Sequence, residues 1–582
     1  MTRRTTRILT LAASAAVSIT ALQAQGRGSV EWTTGGGDAQ RSSWIRNDAK
    51  ISTESLQKPG AFKFLWKLKM ENEPKQLNAL TQPILLDRII GFRGFKSIAF
   101  VGSSSETIYA IDTDLGTELW RVHLNFGASF PPIVAGTLAC PGGLTAAVTR
   151  PTALAIQQPA ARGAAAGGGR GGRSGGGVGE PGKGATTLAT AGQGRGGGAA
   201  PGLPAAPGGA PAPGSAAAVA AAARGGGGGG GGRGGAVGAP DAAYVVGSDG
   251  FVRALNVQNG WELAPPVQFL PANANAAGLI LVNDATSGYL YTSTVNACGS
   301  TPDGVWAVDL IAADKKVTSW SANGATIAGS AGPALGRDGT LYVATTDGAG
   351  SLSNAIVALE PKTLKQKSVF TGPTADFATS PLVFDYKGKD VIAAAGADGR
   401  IYLLDSASMG TPLAVSITSG GQPVGGALAS WQDAQGVRWI LMSAAGAIKT
   451  SARPAAGNGL VTHGAITAFK LVDEGGALAL QPGWTSRDLT SPLTPMIVNG
   501  VVFAASSGEY RTGDAKVSAA QRAQRSTPAV LYALDGGTGK ELWSSGRTIG
   551  SFGRGGLSAG AGVVYIPTYD GTLYAFGVPI DK

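Results

Sequence analysis

Apolar and polar residues alternate along most of the chain in short runs, and the runs are separated by glycine-bearing turns. Ile401-Tyr-Leu-Leu-Asp405 is one such run, and Asp398-Gly399 stands just before it. Asp-Gly beside an alternating run is a strong hairpin signal, because both central positions of a type I′ turn take positive φ. Asp249-Gly250, Asp338-Gly339 and Asp570-Gly571 occur in the same setting, and helical periodicity is almost absent. The stretch Tyr532-Ala-Leu-Asp-Gly-Gly-Thr-Gly-Lys-Glu-Leu-Trp543 condenses the pattern. It reads as a strand ending at Asp535, a tight turn through Gly539 and a second strand starting near Trp543. Tyr109-Ala-Ile-Asp-Thr-Asp-Leu-Gly-Thr-Glu-Leu-Trp120 repeats it with Asp, Gly and Trp at the same offsets. The glycine permits positive φ in the turn. The tryptophan is a large apolar body suited to the seam between neighbouring sheets.

The first half of this unit recurs more widely, at Tyr109–Asp112, Arg253–Asn256, Trp306–Asp309, Val357–Glu360, Tyr402–Asp405, Thr467–Lys470, Tyr532–Asp535 and Tyr574–Gly577. Between the last residues of successive copies the steps are 144, 53, 51, 45, 65, 65 and 42. The long first step contains a low-complexity segment of about 80 residues, and without it the step matches the others. A self-similar period of this length filled with short strands predicts a β-propeller, and eight copies predict eight four-stranded antiparallel blades. The last copy stops before any Leu-Trp strand, whereas Phe62-Lys-Phe-Leu-Trp-Lys-Leu68 supplies one with no copy before it. The N-terminal strand is therefore expected to complete the C-terminal blade and close the ring, which removes exposed sheet edges.

The Ala-x-Asp…Gly…Leu-Trp unit resembles the repeat of the quinoprotein-type (PQQ-like) propellers. That family includes PQQ-dependent alcohol dehydrogenases and a non-enzymatic outer-membrane assembly scaffold. The N-terminal Glu31-Trp32…Gly36-Gly37-Asp38…Arg41…Ile51…Leu56…Leu65-Trp66 is similar to the opening segment of the dehydrogenase branch. The resemblance speaks for the fold; one fold hosts both kinds of protein, so activity has to be argued from a site.

Composition changes this picture at two places. Residues 1–24 carry Arg3, Arg4 and Arg7 ahead of a short apolar stretch from Ile8 to Leu22, the pattern of a secretory signal peptide rather than a membrane span. This places the mature chain in the periplasm or outside the cell. No cysteine lies near the cleavage point, so lipoprotein anchoring, typical of the family's scaffold, is not supported. Residues 161–240 contain 32 glycines, with Ala, Pro and Arg making up most of the rest. Such a composition cannot build a core, and the segment is expected to be a disordered insert dividing the propeller into residues 25–160 and 241–582. It holds six arginines and Lys183 against Glu180, and the signal segment adds three arginines. Of the net charge of +10, these two segments account for +9 and leave +1 for the propeller. A basic nucleic-acid-binding face is thus not indicated.

Chemistry-bearing residues are few. Cys140 and Cys298 are the only cysteines. In an oxidising compartment a bridge between them is open, and so is a pair of buried free thiols. The adjacent-cysteine disulfide of many PQQ-dependent alcohol dehydrogenases has no counterpart, and no Cys-x-x-Cys-His haem site exists. His123 and His463 are isolated and follow no metal-ligand spacing. Gly536-Gly-Thr-Gly-Lys540 lacks the remaining residues of a phosphate loop, and the calcium-like Asp112-Thr-Asp114 is accounted for by the repeat. A ligand would sit where the inner strands converge on the channel, with starts expected at Gln82-Pro83, Pro131-Pro132, Ser380-Pro381, Pro492 and Gly556. Asp376 and Arg554 precede two of these and are the candidate cofactor- or ligand-binding residues. The resemblance implies PQQ with calcium for the dehydrogenase branch, together with an Asp base in a His- and Trp-rich segment that this sequence does not match. The expectation is therefore an exported binding or assembly module without cofactor or metal. Its partner would be a cell-envelope protein or a small ligand at the channel. A PQQ- and calcium-dependent dehydrogenase is the alternative.

Overall fold

The computed structural model describes residues 31–91, 94–124, 136–154, 242–284, 286–348, 350–372, 376–448 and 456–579. The expected signal segment and the insert 161–240 lie outside these residues. The described strands form eight mainly antiparallel sheets of three to six strands, built on a four-stranded plan and arranged as an eight-bladed β-propeller. Blade 1 consists of Ile84–Gly91, Gly94–Gly102, Thr107–Asp112 and Thr117–His123. Blade 2 holds Ala242–Val246, Phe251–Asn256 and Val267–Gln268, and its inner edge is a bridge between Thr149 and Tyr244. The inner edges of blades 3 to 8 then fall at Ala276–Asn283, Ala334–Leu335, Leu382–Tyr386, Ala429–Gln432, Met496–Val498 and Ser558–Gly560. The expected inner starts before Ile84, Leu382, Met496 and Ser558 thus lead into inner strands. Pro131-Pro132 lies outside the described residues.

Ring closure follows the sequence pattern. Lys63–Lys69 pairs antiparallel with Thr572–Gly577, with Lys67 opposite Tyr574. The two strands share one sheet with Val563–Pro567 and Ser558–Gly560.

The repeat's Trp and Gly meet between blades rather than within one. Trp66 Nε1 donates to the Thr113 carbonyl at 2.9 Å, Trp120 Nε1 to Val257 at 3.0 Å and Trp484 Nε1 to Gly536 at 2.8 Å. In each case the acceptor follows the Asp or Asn that ends a strand of the next blade, and a glycine three residues further on lies under the indole. A Cβ on Gly116, Gly260 or Gly539 would come within 2.5, 2.7 and 2.4 Å of those rings. All three glycines have positive φ, so both space and backbone demand glycine there. Asp112 Oδ1 accepts the amides of Asp114 and Leu115, which identifies the calcium-like stretch as the repeat's own turn.

The N-terminal segment does more than lead into the ring. The carbonyls of Trp32, Thr33, Ala39, Gln40, Ser42 and Ser43 accept the amides of Leu85, Arg150, Leu335, Val383, Ser430 and Ile497 at 2.8–3.0 Å. Those donors belong to the inner edges of blades 1, 2, 4, 5, 6 and 7. Blade 3 is reached by Thr34 Oγ1, which donates to Leu279, and blade 8 by Asp48 Oδ2, which accepts from Gly562 at 2.8 Å. One short stretch therefore visits every blade in ring order. Inner-edge amides would otherwise face the channel unpaired, and each one left unpaired is costly. The turn at Gly36 and Gly37, with φ of 76° and 91°, and the left-handed Arg41 and Ser43 let the chain follow so tight a circle. The fully buried Arg41 fixes it, donating to Pro333 at 3.0 Å, to Thr34 Oγ1 at 3.0 Å and to Gly278 at 3.2 Å. Burial pulls its guanidinium down to about 9, with Asp38 acting in the opposite direction.

Candidate functional site

Above this N-terminal circle, at the end of the channel where the inner strands begin, lies a cavity of about 550 Å³. Its floor includes Gly35, Gly36 and Ser43. Its walls are the segments that lead into the inner strands, where glycines allow the blades to converge. A Cβ on Gly329 would stand 2.0 Å from the Ser380 amide, and one on Gly426 2.1 Å from Ser330 Oγ. On one side the wall is Leu138–Ala147, fastened to blade 3 by a disulfide between Cys140 and Cys298. Of the two states left open by the sequence, the bridged one is present.

The opposite wall is the long connection between the strands Val501–Ser506 and Val530–Asp535 of blade 7. It carries the helix Ala519–Arg525, opened by a capping box between Ser518 and Gln521. The helix is held down by Ala519 against Leu77 and Phe552, and Phe552 stacks on Tyr569 with ring centroids 4.6 Å apart. This excursion brings Glu509 and Arg511 to the cavity. Glu509 is 5 % exposed; its Oε1 accepts from Arg554 at 3.0 Å, and Arg511 stands 3.7 Å from its Oε2. Partial burial pulls the Arg554 guanidinium below its ordinary value, and Glu509 opposes that shift. Among the described residues these three are the only charged ones lining the cavity, a net charge of +1.

Of the two candidates named from sequence, Arg554 lines the cavity. Asp376 is partly exposed beside Ala397, whose amide donates to its carbonyl at 2.7 Å, and is not among the lining residues. The structure thus does not bring the two together. Glu509 and Arg511 were not singled out because Ser507-Gly-Glu-Tyr-Arg511 falls outside any repeat. Their usable signal was position: a polar stretch following a core strand and preceding the next copy by more than 20 residues. His463 lies outside the cavity, with Nδ1 2.7 Å from Asp488 Oδ2, and His123 Nδ1 faces Thr107 Oγ1 at 3.1 Å.

A quinone tricarboxylate with calcium needs cationic and amide donors for its acids, and a group of carboxylate and amide oxygens for the metal. Arg511 and Arg554 match the first need. The second is not matched: among the described lining residues Glu509 is the single carboxylate, and it faces two arginines. Among the described residues no three His, Cys, Asp or Glu side chains gather into a metal-binding group. Asn78 and Gln82 spend their side-chain N–H groups on chain carbonyls, and Gln82 Oε1 accepts from Gly36 at 3.0 Å. The donor set does not fit the quinone–calcium pair.

No family model matches the chain, and no curated protein does. Solved structures do. The quinohemoprotein alcohol dehydrogenase from Comamonas testosteroni is 13 % identical with a TM-score of 0.51, covering 95 % of this chain and 81 % of that one. A europium-containing methanol dehydrogenase is 10 % identical with a TM-score of 0.53, covering 94 % and 98 %. BamB from Moraxella catarrhalis is 14 % identical with a TM-score of 0.35, covering 59 % and 81 %. The class these observations define is one of architecture, the eight-bladed β-propeller. At such identities the likeness to the two dehydrogenases shows the fold alone. No helix among the described residues is long and apolar enough to cross a membrane.

Proposed function

We propose that this chain is an exported binding or assembly module of the cell envelope, that its seat is the cavity at the head of the channel, and that it works without PQQ, metal or catalysis. One observation carries the reading. Among the described residues lining the cavity Glu509 is the one carboxylate, buried with Oε1 bonded to Arg554 and Arg511 3.7 Å from Oε2, a poor setting for a base or a calcium ligand. Export rests on the arginine-led apolar stretch at residues 1–24.

The test is reconstitution. Purified protein is mixed with PQQ and Ca²⁺ and passed through gel filtration, and the eluate is assayed with alcohols and an artificial electron acceptor. The expected result is no turnover. Alcohol oxidation that disappears in Glu509→Gln or Asp376→Asn would replace this reading with the dehydrogenase.

A further inference from the structure

The proposed seat of binding leaves open what it binds, and the polar groups of the cavity narrow that choice. Two arginines share one glutamate there. Arg554 Nε has no hydrogen-bond partner, and neither has Glu509 Oε2. Arg511 approaches that oxygen only to 3.7 Å, beyond hydrogen-bond range, with its side chain 35 % exposed. The unpartnered Arg554 Nε and Glu509 Oε2 are occluded, so Arg511 is the guanidinium whose donors stay open on the cavity side.

The backbone adds donors of the same kind. Gly425 and Gly426 lead into blade 6, and Gly555 and Gly556 into blade 8; all four line the cavity with φ of 84–94°. Among the described residues their amides donate to no other group of the chain. Their conformation is enforced by close packing: a Cβ on Gly425 would stand 2.8 Å from the Thr494 amide, and one on Gly555 2.5 Å from the Leu80 carbonyl. Unused glycine N–H donors on two sides of the cavity, with a net charge of +1 over its described lining residues, favour acceptor oxygens carrying negative charge. Its volume of about 550 Å³ is that of a small-molecule pocket.

We propose that the cavity binds a small organic di- or tricarboxylate. One carboxylate is received by Arg511 beside Arg554, a second is reached by the glycine amides, and Glu509 competes with the ligand for the same guanidinium groups. The proposal rests on the cavity being the seat of binding. Turnover with PQQ defeats the non-catalytic reading, whereas the measurements below defeat only the choice of ligand.

Citrate, succinate, the neutral succinamide and inorganic sulfate are titrated into the full chain by calorimetry at low and high salt. Citrate and succinate are expected to bind, more weakly at high salt, with succinamide and sulfate at least about tenfold weaker. Arg511→Gln, at a partly exposed side chain, should weaken citrate about tenfold, and Arg554→Gln by as much or more. Glu509→Gln removes the competing carboxylate and is expected to leave citrate binding equal or tighter, where a merely structural role would weaken it. Lys516→Gln, in the same excursion but away from the lining, should bind as the unaltered protein does. Succinamide or sulfate binding as tightly as succinate, unchanged affinity in both arginine variants, or no citrate binding at millimolar concentration would each overturn the proposal.

Discussion

The indole N–H of Trp120 in blade 1 donates to the carbonyl of Val257 in blade 2 at 3.0 Å. Trp120 is 9 % exposed and leaves no room for a side chain at Gly260. The contact joins the two halves of the repeat across a seam, so a motif visible along the chain acts between neighbours. Trp543, the equivalent in blade 7, is only partly buried and packs edge-on against Phe62 and Phe576 at 4.9 and 5.5 Å.

Truncation at the first seam should be felt globally. Trp120→Ala is expected to cost about 3–5 kcal/mol, as for a large buried aromatic. Trp120→Phe keeps most of the apolar area, loses the bond to Val257 and should cost about 1–2 kcal/mol. Urea unfolding followed by circular dichroism measures both. A loss under about 1 kcal/mol for the alanine variant would mean the seam does not depend on this side chain.

Arg41 ties the N-terminal circle to blades 3 and 4 through the carbonyls of Gly278 and Pro333. Arg41→Met leaves these buried acceptors and Thr34 Oγ1 without their donor and should cost about 3–5 kcal/mol. Arg41→Lys should recover only part of this, because an ammonium cannot reproduce the planar fork. Cavity binding ought to fall along with stability, since the circle is the cavity floor. Equal stability of the Lys variant and the native protein in a denaturant titration would contradict the geometric role.

Fold and site differ sharply in how far the sequence discloses them. Blade number and ring closure are legible because each blade must repeat the same strand, turn and seam, which leaves Asp, Gly and Trp at fixed offsets. The path of residues 32–48 is not legible: its bonds run from backbone carbonyls, which any residue supplies, to inner-edge amides scattered over some 480 positions of the sequence. The cavity was located in principle, at the convergence of the inner strands, and Arg554 lines it. Glu509 and Arg511 escaped because excursions between repeats follow no period. Asp376 precedes an inner strand as Arg554 does, yet adjacency to a strand start does not fix whether a side chain reaches the channel.

Acid sensitivity should be traceable to Asp488. Partial burial disfavours its charged form. The His463 ring, the amides of His463 and Thr462, and the Thr462 hydroxyl outweigh that and hold the carboxyl well below the ordinary range. A carboxyl whose folded pKa is depressed contributes stability above its unfolded value, about 3.9, and loses it as pH falls through the folded value. Asp488→Asn should therefore be less stable than the native protein at pH 6, on the order of 1 kcal/mol for so exposed a pair, and the gap should close below about pH 4. Melting curves from pH 7 to 3 check the sign. A gap that widened on acidification would show the bonds to be weaker than the burial they oppose.

The disulfide links stability to the cavity. Cys140 and Cys298 are 158 residues apart in sequence, and their bond fastens Leu138–Ala147 to blade 3. A cross-link closing so long a loop restricts the unfolded chain, by about 5 kcal/mol on the chain-entropy account and about 2–5 kcal/mol by the usual experience of native disulfides. Replacing both residues, Cys140→Ser with Cys298→Ser, should lower the melting temperature by several degrees and weaken citrate binding, since Leu138, Pro141 and Thr145 would lose their anchor at the rim. Treatment with dithiothreitol should reproduce both changes in the native protein and neither in the double variant. Stability that fell while citrate affinity stayed constant would confine the bridge to holding the fold, with the cavity wall kept in place by the bonds from Asn78 to the carbonyls of Gly142 and Leu144, at 2.9 and 3.0 Å.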